Sequence, residues 1–161
     1  MARINPLAFA ANTIRNFPIH LSIFRLRLIN RYSRASIIGG DGPTVSLTTH
    51  GHRLKDVFLA IESIARGSLK PSRLMLHLDV EEDVINPLKN LQRLQRRGLE
   101  IHLSENLGPH TKIQPWIVNA PSFSVPHVVA DDDILYPRWW LERLSACFTS
   151  DPVSIHAYRA H

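Results

Sequence analysis

Three adjacent aspartates, Asp131, Asp132 and Asp133, follow the short apolar run Val128-Val129-Ala130 and precede Pro137. Neighbouring carboxylates repel one another unless a cation, or a ligand carrying one, lies against them. Alternation along an extended chain points Asp131 and Asp133 to one side and Asp132 to the other. Two carboxylates on one side suit a hard divalent cation, Mg²⁺ or Mn²⁺, which keeps positions open for phosphate oxygens. A plainer role stands beside this one. Asp132 or Asp133 can cap the N-terminus of a helix that Pro137 would open, where negative charge is favourable.

The elements needed to position such a cluster are legible from Thr44 onward. Thr44–Thr49 is β-rich, Arg73–Asp79 alternates through Leu74, Leu76 and Leu78, and Leu99–Leu103 alternates again. His127–Ala130 makes a fourth strand, leading into the aspartates, and Val153–Tyr158 a last one. Leu54, Val57, Phe58, Ile61, Ile64 and Ala65 mark one helix face, stopped by Gly67. Leu88, Leu91 and Leu94 mark another, ended by Gly98. Thr111–Asn119 reads as helical apart from Pro115, and Trp140, Leu141, Leu144, Cys147 and Phe148 give a final buried stripe with Trp140 in the core. Strands alternating with helices predict an α/β fold, an open and mostly parallel sheet with helices on both faces.

In a parallel sheet the strand exits share one edge, which is where open α/β sheets hold ligands. That edge would collect Thr48, Thr49 and His50, then Asp79, then Asn106 to His110, then Asp131 to Asp133. Loops are polar in any case, but four polar exits beside apolar strands amount to a candidate site. His50 and His52 lack a further acid at metal-ligand spacing and are not taken as ligands. No G-x-x-x-x-G-K-[ST] loop is present, which argues against a P-loop enzyme.

The chain has 161 residues and one cysteine, Cys147, so an internal disulfide and a Cys-built zinc site are excluded. A reducing, cytoplasmic setting fits. The formal net charge of +5 is unevenly placed: residues 1–40 hold six arginines and no acid, while the rest of the chain carries −1. The basicity therefore belongs to a leader, residues 1–43, ending at Ile38-Gly39-Gly40-Asp41-Gly42-Pro43. Nucleic acid is not expected as the partner of the domain, residues 44–161. Between Pro18 and Ser33, Leu21, Phe24 and Leu28 recur at helical spacing among arginines, as do Ile19, Ile23 and Leu26. Such a helix either lies on an anionic membrane surface, giving peripheral contact through residues 1–36, or packs on the domain with a solvated basic face. No run approaches the roughly 20 apolar residues of a membrane span.

Taken together, TVSLTTHGHR (Thr44–Arg53), the L-x-L-D at Asp79, ENLGPHTK (Glu105–Lys112), VADDDILYPRWW (Val129–Trp140) and the terminal YRAH are an ordered set. The set resembles family 2-type glycosyltransferases of the GT-A fold, the bacterial members that build surface polysaccharides. The resemblance implies a nucleotide-sugar donor, a divalent metal (Mn²⁺ or Mg²⁺) on its diphosphate, and an unknown glycan or lipid-linked acceptor. It implies metal ligation by Asp131 and Asp133, with Asp133 the leading ligand, and a donor-sugar or structural role for Asp132. Thr48, Thr49 and His50 would lie near the base, Asp79 near base or ribose, and Lys112 near ribose or phosphate. Lys112 on a solvated helix face is the alternative. In such enzymes the acceptor half follows much later than the 28 residues left after Asp133, so the domain is expected to be incomplete and no general base is nominated. A donor-binding remnant without turnover, a nucleotidyltransferase, and a basic membrane- or nucleic-acid-binding module are the competing readings.

Overall fold

The computed structural model describes residues 6–119 and 125–158, with side chains from residue 18 onward except Asn119. Strands β1 (Thr44–Thr48), β2 (Arg73–Leu78), β3 (Leu99–Leu103) and β4 (His127–Ala130) form one sheet in the order β3-β2-β1-β4. Every pairing is parallel. The helices are α1 (Pro6–Tyr32), α2 (Val57–Ala65), α3 (Glu81–Ile85), α4 (Lys89–Gln95), α5 (Gln114–Asn119) and α6 (Trp140–Ser150), with 3₁₀ turns at Gly51–Lys55 and Gly108–Lys112. The chain is thus an α/β domain with an all-parallel sheet.

Each strand alternates between two unlike faces. Val45, Leu47, Leu74, Leu76, Leu78, Leu99 and Ala130 are buried in one core with residues of α2, α4 and α6. The register places Ser46 beside Met75, Met75 beside Glu100 and His77 beside His102, so the opposite face is polar. Purely parallel sheets usually bury apolar residues on both faces. Here the second face is roofed only in part, by the segment running from the Gly108 turn into α5. Trp116 of α5 stacks on His127 with ring centroids 4.3 Å apart.

Helix α2 is enclosed on nearly all sides, because α1 packs against it from outside the core layer. That burial reaches a carboxylate. Glu62 is 1% exposed and pairs through both oxygens with Arg97, itself 8% exposed. Asn30 of α1 donates to the same Glu62 at 3.1 Å, and Arg97 Nε donates to the Ala35 carbonyl at 2.8 Å. The chain after α1 then runs along the strand-entry side. Ile37 N–H bonds the Arg97 carbonyl, Gly39 N–H the Pro71 carbonyl, and Ser72 N–H the Pro43 carbonyl. A Cβ on Gly42 would lie 1.9 Å from the Lys70 carbonyl oxygen, so this crossing admits only glycine. Ile37 is fully buried in the domain core.

Several expectations are corrected. Val153–Tyr158 forms no strand. Val153 and Ile155 are 92% and 98% exposed, and the Asp151 carboxylate turns the chain by accepting from Val153 N–H. Pro137 precedes α6 rather than opening it, and its carbonyl caps a turn with Trp140 N–H at 3.0 Å. The acidic exit after Asp79 coils into α3, where three acids in the first turn favour a helix N-terminus. Helix α1 continues on the N-terminal side of Pro18. Arg159, Ala160 and His161 lie outside the described residues, and with them any role for His161.

Removing one member of a buried ion pair strands the other, at a cost of about 3–5 kcal/mol. Arg97→Met is therefore expected to lower unfolding free energy by about that amount. Arg73→Met, at the exposed Arg73–Glu100 pair, is expected to cost about 1 kcal/mol or less. Urea denaturation of both variants, compared with the parent chain, checks this.

Candidate functional site

The parallel register brings the strand exits to one edge, and a cleft of about 590 Å³ opens there. It is lined by Thr48, Thr49 and His50 from β1, Asp79 from β2, the Asn106–Lys112 loop from β3, and Asp131, Asp132 and Asp133 from β4. The eight residues named by the resemblance all line this one cleft, and of the expected Asn106–His110 exit Leu107 and His110 do not. Arg53, Asn106, Gly108, Pro109 and Thr111 line it with them.

The three aspartates differ sharply in surroundings. Asp132 is 9% exposed, and its oxygens accept from Thr49 Oγ1 at 2.6 Å and from Arg53 Nη1 at 3.0 Å. Asp131 and Asp133 are exposed on the open side, as alternation predicts, although the strand itself ends at Ala130. Capping of α6 is not their role, since Trp139 is the residue at its N-cap and no side chain bonds there. Asp131 pairs with Lys112 Nζ. Asp133 keeps a side-chain exposure of 64% and lies 3.8 Å from Arg53.

Backbone geometry fixes these positions from behind. Asp131 N–H donates to the Tyr136 hydroxyl at 2.6 Å, while Tyr136 N–H donates to Ser63 Oγ of α2 at 2.9 Å. Burial, first, raises the Tyr136 hydroxyl pKa well above its usual value, so it stays a protonated anchor. Gly51, at φ +56°, opens the 3₁₀ turn that presents Arg53. On the other side of the cleft, Asn106 Nδ2 donates to Asp79 Oδ2 at 2.6 Å, tying the β2 and β3 exits together. Asn106 Oδ1 accepts from Gly108 N–H, and buried Thr111 accepts from Leu107 N–H.

Lys112 is positioned from the polar sheet face. Ser46 Oγ donates to the Lys112 carbonyl and also shares a 2.8 Å hydrogen bond with His127 Nε2. His127 Nδ1 shares another with Thr44 Oγ1 at 2.8 Å. Lys112 is thus not a freely solvated lysine; its side chain is 19% exposed. Burial lowers the His127 pKa from 6.5 to about 4. It does the same for His77, whose Nδ1 shares a hydrogen bond with Ser104 Oγ at 2.9 Å.

Four carboxylates and two cations line the cleft, a formal excess of two negative charges. Both cations already face aspartates. An anion entering here would meet repulsion unless it brought a cation with it. Among the described residues, no group of three or more His, Cys, Asp or Glu is arranged to hold a metal. The two exposed carboxylates fit the other way of holding Mg²⁺, through one or two acids with phosphate and water oxygens completing the shell.

Sequence reasoning missed Arg53. The signal was the glycine at Gly51, which lets a basic residue two positions on turn back over the strand exit. It also missed Tyr136, whose hydroxyl lies five residues from the backbone it holds. Set against protein-family models, curated proteins and solved structures, the chain matches none.

Two outcomes follow. Asp132→Ala leaves Thr49 and Arg53 without their acceptor and is expected to cost about 1–3 kcal/mol, whereas Asp133→Ala is expected to stay within about 0.5 kcal/mol; thermal denaturation separates them. His77 and His127 are neutral when folded but take a proton near pH 6.5 when unfolded. Their contribution is full above pH 6.5 and is lost progressively as pH falls towards 4. Denaturant midpoints measured across that window should fall on acidification, with a shallower slope for His127→Asn.

Proposed function

We propose that this cleft binds a nucleotide-sugar donor and that the chain carries the donor side of a glycosyltransferase of the GT-A type. The observation that carries the reading is the unequal treatment of the three aspartates. Asp132 is consumed by Thr49 and Arg53, while Asp131 and Asp133 are left exposed at the mouth of a cleft with excess negative charge. Asp131 and Asp133 would hold Mg²⁺ or Mn²⁺. Such an ion, when bound, supplies positive charge to the diphosphate of the donor.

The chain's own residues then divide the remaining work. Lys112 stands beside Asp131 as the cation nearest the exposed acids, suited to charge that develops on a departing diphosphate. Asp79 uses one oxygen for Asn106 and keeps the other for a ribose hydroxyl or base edge. Thr48 and His50 border the same end of the cleft, with the Thr48 hydroxyl spent on the His77 carbonyl at 3.0 Å. Thr49 acts through Asp132 and not on the donor directly. These groups account for donor binding and leaving-group stabilisation. The acceptor, a glycan or a lipid-linked one, would be met by other residues.

Calorimetric titration of the chain with nucleoside diphosphate-sugars, with and without Mn²⁺ or Mg²⁺, tests the proposal. Binding is expected only with metal. Asp133→Ala is expected to weaken it by about tenfold or more, without lowering the thermal midpoint. Absence of nucleotide binding with either metal would sink the reading.

A further inference from the structure

Over residues 18–32, helix α1 is apolar on two opposite sides, and the domain covers only one of them. At 100° per residue, Leu26 and Asn30 face inward and are buried, with Ile23 partly buried beside them. Leu21, Phe24, Leu28 and Tyr32 form a second stripe on the outer side, 46%, 58%, 40% and 69% exposed. Arg27 and Arg31 flank this stripe on one shoulder and Arg25 on the other, all exposed. At its C-terminal end the stripe runs into a cleft of about 530 Å³ between α1 and α4. Arg31, Tyr32, Arg34, Arg93 and Arg96 line that cleft, and no acid does. Among the described residues, Arg25, Arg27, Arg31, Arg34 and Arg96 pair with no carboxylate.

We infer that the outer face of α1 docks on an anionic lipid surface, the apolar stripe entering the headgroup–acyl boundary and the arginine cleft receiving a lipid phosphate. The chemistry selects this occupant. An apolar strip edged on both sides by cations is the pattern of a helix lying in the membrane interface plane. A nucleic-acid backbone would meet the arginines but leave Phe24 and Leu28 wet, since such binding rests on phosphate contacts. A second copy, joined about a two-fold axis, would set arginine against arginine. The contact is peripheral, because no helix among the described residues is long and apolar enough to cross a membrane. It does not depend on the donor-site proposal, which concerns a cleft that shares no lining residue with this one.

The test is cosedimentation of the full chain with vesicles of phosphatidylcholine alone and of phosphatidylcholine mixed equally with phosphatidylglycerol. Binding is expected to the mixed vesicles only, weakening with added salt. Arg31→Gln should lower partitioning about fivefold, the share of one interfacial arginine. Phe24→Ser with Leu28→Ser should lower it about tenfold or more, with unchanged circular dichroism, since both side chains are exposed. Equal binding to neutral vesicles, or indifference to the Phe24 and Leu28 changes, would overturn the inference. So would a lipid-free dimer dissolved by Phe24→Ser, or duplex DNA binding without vesicle binding.

Discussion

The parallel pairing of β1 on both of its edges governs what this domain can do. Thr48 lies level with His77 on one side, and Leu47 lies level with Ala130 on the other. Continued one and two residues further, that register sets Asp131 level with Thr48 and Asp132 level with Thr49. The Thr49–Asp132 hydrogen bond is therefore a direct extension of the strand ladder by side chains. Parallel strands also oblige every connection to cross a face and return to the same entry side. The entries are laced together by backbone hydrogen bonds of the segment around Ile37–Pro43, while the exits are bridged by side chains, Asn106 to Asp79 and Thr49 to Asp132. The open cleft and the closed opposite edge are two consequences of one strand direction.

Within that frame, the domain treats its buried carboxylates alike and its exposed ones differently. Glu62 and Asp132 each have both oxygens satisfied, by Arg97 and Asn30 in one case and by Arg53 and Thr49 in the other. A buried charge costs several kcal/mol unless paired and hydrogen-bonded, so these acids belong to the architecture. Asp133 escapes this constraint because solvent screens it. The same chain segment can then supply one acid that orders the β4 exit, one paired with Lys112, and one, Asp133, left largely to solvent. Specificity in an acidic run comes from burial, which composition does not reveal.

Much of this was legible because the apolar face writes itself into the sequence at period two and near 3.6. Leu74, Leu76 and Leu78 announced β2, and Leu91 and Leu94 announced α4, since each must reach one core. The convergence of Asp79, Asn106 and Asp131–Asp133 followed from strand direction, whereas Lys112 was named by the family resemblance. Other features left no periodic trace. Arg53 reaches Asp132 through a 3₁₀ turn whose geometry depends on one glycine. The largely polar sheet face, with His77 buried and His127 half-buried against serines and a threonine, is invisible to a reading that looks for apolar runs. Val153 and Ile155 alternate as a strand would, yet alternation needs a neighbouring strand to become structure.

The charge asymmetry of the sequence also gains a spatial meaning. Arginines concentrate on α1 and the adjoining edge of α4, while the aspartates of the cleft sit at the strand exits. Opposite charges on one mobile surface would find each other and neutralise. Held on separate elements, the arginines of α1 and α4 and the aspartates of the cleft form no ion pair with each other. The arginines are left beside the exposed stripe of α1, and the cleft keeps its excess of negative charge. Helix α1 supports the division: Leu26 and Asn30 fasten it to the domain, which leaves Phe24 and Leu28 exposed.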